Sequence, residues 1–195
     1  TKANLGEALA TELDLHQADL TTVDLGLFDF VYCIGVLHHL KEPAEGFRAV
    51  LRHTRARGGF HCWVYAREGN AVIRYLVDPL RRVTSRLPWW LTKYAVALPA
   101  AAKYFLYAKL LRALAAVFGE SVIRRLPLGA YSLWIAKRGF SFFHHVVFDQ
   151  LVTPTTQYID RATVERWLED PAVEPDSRYV VFRNGNSWKF GGCMR

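Results

Sequence analysis

The run Phe28-Asp29-Phe30-Val31-Tyr32-Cys33-Ile34-Gly35-Val36-Leu37-His38-His39-Leu40 decides how this chain is read. Residues 27–36 are a continuous apolar stretch rich in Phe, Val, Tyr and Ile. Such a run, without helical spacing, predicts a strand buried on both faces of a parallel sheet. Two histidines, His38 and His39, follow where the strand runs out. Ligands of open parallel sheets bind just beyond the carboxyl ends of the strands, so this is the edge where function is expected.

Working downstream, Pro43 suits the first turn of a helix, where a missing N–H costs nothing. Ala44, Phe47, Val50 and Leu51 supply the apolar stripe of that helix, and Gly58-Gly59 is the turn expected to end it. A second strand is expected over 60–66. Strand, helix, glycine turn and strand make a right-handed parallel crossover. Upstream, Leu5, Ala8, Leu9 and Leu13 give residues 1–13 a helical spacing, and 13–18 is a short strand candidate. In the tail, 160–168 reads as a short helix capped by Asp160, with Val164, Trp167 and Leu168 on one face. A strand over 178–182, the turn Asn184-Gly185-Asn186 and a returning strand over 187–193 form a hairpin.

Residues 71–147 break this rhythm and read as an inserted helical cap on an α/β core formed by 1–70 and 148–195. Helices are expected over 72–87 and 99–118, the second stopping at Gly119. The second is apolar around most of its girth, so it is expected to bury most of itself. Aromatic residues crowd this region, among them Trp89, Trp90, Tyr94, Tyr104, Phe105, Tyr107 and Phe118.

Composition sets the limits. A chain of 195 residues, 51% hydrophobic and 22% charged, has the make-up of one globular domain. It opens on Thr1 and not on Met, so residues ahead of it are expected to be missing. Cys33, Cys62 and Cys193 have no paired spacing, and the first two sit in apolar runs. They read as reduced thiols, which points to a cytoplasmic protein without a disulfide framework or a zinc site. Lys93, Lys103, Lys109 and Arg112 interrupt the most apolar stretch, so no membrane-spanning helix is expected. The net charge of +7 is local: residues 71–125 hold ten Lys or Arg against Asp78 and Glu120. Such a patch meets phosphates, anionic lipid or an acidic substrate, unless it is simply a solvated helix face.

The F-D-x-V strand followed by L-H-H-L resembles the fourth strand and following loop of class I S-adenosylmethionine-dependent methyltransferases, in particular the broad group that includes quinone-biosynthesis methyltransferases. Gln17-Ala18-Asp19-Leu20 looks like that family's third strand ending in Asp, and 178–194 like its terminal hairpin. The likeness covers residues 1 to about 70 and about 148 to 195. It implies a Rossmann-like, mostly parallel sheet with a C-terminal antiparallel hairpin. It also implies S-adenosyl-L-methionine as cofactor, bordered by Asp19, Leu20, Cys33, Ile34, Gly35 and His38, with Asp19 on the adenine amino group. The family's His-His pair usually shapes the cofactor loop.

As a neutral-range imidazole, His39 is a candidate general base, and His145 is a second. A metal site is not expected from adjacent histidines without a carboxylate or thiolate at ligand spacing. His144, His145 and Tyr158 are candidates for the substrate wall. The acceptor is expected to be small or medium-sized, with an apolar body and with or without an anionic group.

One departure from the family stands out. The chain contains no G-x-G, and nothing before Asp19 reads as an apolar strand followed by a Gly-rich loop. The family's cofactor cradle is therefore expected to be truncated away, leaving a weak or inactive enzyme. Two alternatives compete: a degenerate methyltransferase scaffold that acts as a binding module, and a basic protein that binds a membrane surface or RNA.

Overall fold

A computed structural model describes residues 14–126 and 128–195. The helix expected over 1–13 lies outside the described residues. The α/β core begins with β1 (Phe28–Ile34), a single 3-10 turn (Leu37–His39), α1 (Pro43–His53) and β2 (Thr54–Tyr65). β1 and β2 are parallel, so the crossover read from the sequence is present. The chain returns to the core with α9 (Arg161–Leu168), β3 (Tyr179–Arg183) and β4 (Ser187–Cys193). The sheet order is β1-β2-β4-β3, with β4 antiparallel to both neighbours. This is a mixed α/β sheet whose parallel start gives way to an antiparallel hairpin.

The local causes are visible in the sequence. Pro43 opens α1, and the Asp160 carboxylate accepts from the Thr163 N–H at 2.9 Å to cap α9. The hairpin closes through the Asn186 N–H on the Arg183 carbonyl at 3.2 Å. Phe47 from α1, Phe60 from β2, Phe190 from β4 and Trp167 from α9 pack together on one face of the sheet. Fifteen buried residues form this core.

Three expectations for this region are corrected. Residues 14–19 have no regular structure, because no described strand lies beside them to pair with. β1 is not buried on both faces: it is the outermost of the described strands, and α1 covers only the Val31 and Cys33 side. Phe30 and Tyr32, on the other side, are 58% and 69% exposed. Helix α1 ends at His53 and not at Gly58-Gly59. The Thr54 hydroxyl donates to the Val50 carbonyl at 2.8 Å and the His53 ring bonds the Ala49 carbonyl, so side chains close the helix end. The chain then bulges, since Thr54 pairs with Phe28 while Gly59 pairs with Phe30.

Between the two halves of the core, residues 71–152 are helical. A π-helical stretch (Ile73–Val77) leads into α2 (Asp78–Thr84), followed by α3 (Trp89–Ala95) and α4 (Ala97–Ala102). A second π-helical stretch (Lys103–Ala108) continues into α5 (Lys109–Phe118), which ends at Gly119. Then come α6 (Glu120–Ile123), α7 (Gly129–Ala136) and α8 (Phe140–Val152). Helices α2, α3 and α4 pack on α8, and α5 packs on α7.

The expectation that the 99–118 helix buries most of itself is overturned. Thr92, Val96, Ala100, Tyr104, Ala108 and Leu111 are buried, a single stripe at helical spacing. Leu98, Leu106 and Val117 are 80%, 72% and 75% exposed. Among the described residues, helices lie on one side of this segment only, so one stripe exhausts the available partners. Among the described residues, no helix is long and apolar enough to cross a membrane.

Candidate functional site

Strand β1 ends at Gly35, whose φ of +77° turns the chain sharply out of the sheet. Few other residues adopt that conformation without strain. The Gly35 N–H still reaches the Trp63 carbonyl of β2 at 3.2 Å, so the turn leaves directly from the carboxyl edge of the parallel pair. The 3-10 turn (Leu37–His39) follows and places the two histidines there.

A strap formed by residues 153–158 fixes this turn from the side. The Gln157 N–H donates to the His38 carbonyl, and its side-chain amide donates to the carbonyls of Leu40 and Lys41, each at 2.8 Å. The Nδ1 of His39 lies 2.8 Å from the Thr155 carbonyl and 3.2 Å from the Thr156 hydroxyl. A carbonyl only accepts, so Nδ1 is the donor of that bond, and in the neutral ring Nε2 is then the acceptor.

His38 is a different residue in the same turn. It is fully buried, and neither ring nitrogen has a hydrogen-bond partner among the described residues. Its ring packs at 4.4 Å from that of Tyr65 and 5.7 Å from that of Trp63. Burial, then the neighbouring His39 and Arg81, lower its pKa to about 3. His38 is a neutral, packed ring.

Behind this turn lies a polar network that ties the helical region to the core. Arg81 of α2 is buried; its guanidinium pairs with Asp78 at 2.6 Å and bonds the Gln150 carbonyl of α8. The Tyr158 hydroxyl donates to Asp78 at 3.1 Å. Burial pushes the Tyr158 phenol up to about 12, with Arg81 pulling the other way. Burial also raises Tyr65, against a hydrogen bond from the Gln150 side chain. The junction is tight as well: a Cβ on Gly69, at φ +73°, would sit 1.8 Å from the Gly185 carbonyl oxygen.

Two cavities of about 210 Å³ flank this network. One lies within the helices and is lined by Ile73, Val77, Ala100, Lys103, Phe143 and Val147 among others. The other touches Trp63 and Tyr65. Tyr131, Gln150 and Asn186 form a wall common to both. Tyr65, in the lining of the second cavity, packs against the buried His38 ring, which itself lines neither cavity.

The structure gathers some of the residues singled out from sequence and separates others. Gly35, His38 and His39 share the turn, and Tyr158 closes the strap behind it. The Cys33 side chain points into the core, where burial raises its thiol to about 11. Ile34 lies on the open face of the sheet. Asp19 and Leu20 are at the other end of β1. Leu20 shares a cavity with Phe28, Val50 and His53, and Arg52 bonds the Thr21 carbonyl. The seven residues of β1, about 23 Å of strand, separate that end from Gly35. The Asp19 carboxylate is taken up by the Thr21 N–H and hydroxyl at 2.8 and 2.7 Å, so here it closes a turn. His144 and His145 sit on α8, where the His144 ring bonds the Lys93 carbonyl. Gln150, further along the same helix, lines a cavity with Tyr65.

Sequence reasoning missed Tyr65, Asp78, Arg81 and Gln150. Only Asp78 and Arg81 left a signal, as an acid–base pair three residues apart on one helix. No cluster of three or more His, Cys, Asp or Glu able to hold a metal occurs among the described residues.

The adenosyl cofactor implied by the resemblance fits these residues only in part. The turn from Gly35 to His39 offers one wall at the right edge of the sheet. None of the three cavities is lined by residues 35–39, and the Asp19 carboxylate is engaged elsewhere.

Comparison with known proteins bears on the same stretch. Residues 1–62 match a family model described as a methyltransferase domain. Over 70 residues the chain is 36% identical to an uncharacterized protein of Synechococcus, an alignment covering 34% of this chain and 17% of that protein. The fold is also similar to the structure of PKMT2 from Rickettsia typhi, with a TM-score of 0.42 and 10% identity, over 91% of this chain and 38% of that one. The chain thus spans a minor part of the length of either relative. The stretch that matches the methyltransferase-domain model holds β1, the histidine turn and α1.

Proposed function

We propose that this chain is the acceptor-binding part of an S-adenosylmethionine-dependent methyltransferase. The observation that carries the reading is the Gly35 turn with its strapped histidines, at the carboxyl edge of the parallel pair, inside the stretch that matches a methyltransferase domain. Methyl transfer gains much of its rate from holding donor and acceptor in line, and a rigid turn of this kind supplies one side of that alignment. Where the acceptor must shed a proton, His39 accepts it at Nε2, since Nδ1 is committed to the Thr155 carbonyl. The buried, neutral His38 shapes the turn. The acceptor enters from the helical side, past Gln150 and Tyr65.

The test is calorimetry with S-adenosylmethionine on this chain, and on a longer form that includes an upstream strand and Gly-rich loop where the coding frame supplies them. Micromolar binding and transfer of labelled methyl by the longer form, with little binding by this chain alone, is the expected result. A longer form that carries such a loop and binds no cofactor would leave the scaffold reading in its place.

A second reading is favoured by one observation, the uncovered outer face of the helices. Trp89, Trp90, Tyr94, Leu98 and Leu106 are exposed there, in a segment of strongly basic balance. Exposed aromatic and aliphatic residues beside cations fit the surface of an anionic bilayer. Like charge opposes a second copy of the same face. Cosedimentation with phosphatidylserine vesicles that weakens with salt, and none with phosphatidylcholine, is expected; equal recovery without vesicles would reject it.

A further inference from the structure

The cavity within the helices has a chemistry of its own. Its walls come from Ile73 and Val77, from Ala100 and from Phe143 and Val147 of α8. At about 210 Å³ it exceeds the roughly 150 Å³ that accommodates a benzene ring in an apolar protein core. It therefore has room for a substituted ring or a medium-length alkyl chain, and its lining rewards an apolar body.

The polar groups in the lining are not equivalent. The Asn70 amide is bonded to the backbone carbonyls of Ala66 and Asn186, and the Gln150 side chain acts on the Tyr65 phenol, holding its pKa down against burial. Among the described residues the Lys103 ammonium has no carboxylate partner, and the Tyr107 ring lies 6.0 Å from it. No carboxylate lines the cavity. An ammonium set in an apolar wall without a counter-ion is an unbalanced charge that an incoming anion would neutralise. Burial alone lowers the Lys103 pKa from its ordinary value, which agrees with that imbalance.

We propose that this cavity is a binding site for an amphipathic anion, an apolar chain or ring ending in a carboxylate or phenolate, with Lys103 as the residue that recognises the charge. The site rests on the reading of the helical region as the acceptor side of a methyltransferase, and it sharpens that reading to a substrate class. The anionic oxygen meets the ammonium while the apolar body fills the space between α4 and α8. Polar groups buried against a charge discriminate strongly, whereas the apolar walls tolerate variation in shape.

Octanoate, octanol and octylammonium, titrated calorimetrically into the chain, separate charge from apolarity. Octanoate is expected to bind at least tenfold more tightly than octanol, and octylammonium more weakly than either. Lys103→Met keeps the apolar stem and is expected to remove the tenfold preference while leaving octanol within twofold; Lys103→Arg is expected to retain most of it. Val147→Phe fills the cavity and is expected to abolish binding of both, with unchanged circular dichroism. Equal affinity for octanoate and octanol, or a preference that survives Lys103→Met, would overturn the proposal. Binding needs no cofactor, so the two readings fail separately. Octanoate bound without any methyl transfer by a cofactor-competent form counts against the enzymatic reading. Methyl transfer confined to neutral acceptors, with no octanoate bound, counts against this site.

Discussion

The α/β core and the helical region use similar apolar residues in opposite ways. In the core, Phe60, Phe190, Val164 and Val173 are sealed into a single cluster between the sheet and its two covering helices. In residues 71–152 the interior is divided into two small clusters, one around Tyr104 and Phe143 and one around Leu111 and Leu133. Many large apolar side chains there face outward. A sheet covered on one face collects its apolar residues in one place; a single layer of short helices over a sheet edge cannot. The comparison teaches that stability resides in the core, and that the helical region is a thinner layer free to hold a cavity.

Core truncation gives the strongest test. Phe60 touches Phe47 and is fully buried, so Phe60→Ala is expected to destabilise the chain by about 3–5 kcal/mol through lost burial and the cavity left behind. The urea midpoint reports it. A comparable loss from truncating an outward residue of α5 would break the comparison.

The second test is pH. The His38 pKa falls from 6.5 to about 3 on folding, so below 6.5 the unfolded chain binds a proton that the folded chain refuses. Stability is then fully present above pH 6.5 and declines as pH falls towards 3. The expected loss is on the order of 2 kcal/mol over the first two pH units below that point. His38→Phe keeps a packed ring and removes the titration, so its stability profile is expected to be flatter over this range. An unchanged slope would mean that the turn opens to water in solution.

How much of this was legible in advance differs between the regions for a physical reason. The crossover could be read because strand apolarity, Pro43 and the helical spacing of Phe47, Val50 and Leu51 each report local structure that packing then confirms. The exposure of Phe30 and Tyr32 could not be read, because an apolar run says what a strand can bury and not what lies beside it. The place of the histidine turn at the sheet edge was legible from the strand that precedes it. The different surroundings of the two rings were not: those of His39 depend on the Thr155 carbonyl, more than a hundred residues away in sequence. Arg81 and Gln150 were invisible for the same reason, as their partners come from distant segments.

Arg81 tests the joint between the two regions. It pairs with Asp78 while buried and bonds the Gln150 backbone. Arg81→Met is expected to cost about 2–3 kcal/mol, since it removes hydrogen bonds to a charged group and leaves the Asp78 carboxylate, still bonded to the Tyr158 hydroxyl, without its counter-ion. Adding Asp78→Asn should recover part of that loss, because the remaining carboxylate is then neutralised. Hydrogen exchange is expected to rise in α2 and α8 with β2 and β4 unaffected, which locates the damage at the joint.

The smallest effect sharpens the comparison most. Leu106 is 72% exposed on the outer side of the helices, while Ala108, two residues on, is fully buried against them. If the outer face is solvent-exposed, Leu106→Ser removes little burial and is expected to change stability by no more than about 0.5 kcal/mol. Measured in dilute solution, that outcome keeps the helical region a one-sided layer. A loss of about 2 kcal/mol would mean that something covers Leu106 there, and a sedimentation measurement across protein concentration would say whether the cover is another copy of the chain. The same substitution is expected to weaken recovery on phosphatidylserine vesicles while leaving the octanoate affinity unchanged. A stable Leu106→Ser chain that loses only the vesicle interaction would show that the outward apolar residues serve a surface and not the fold.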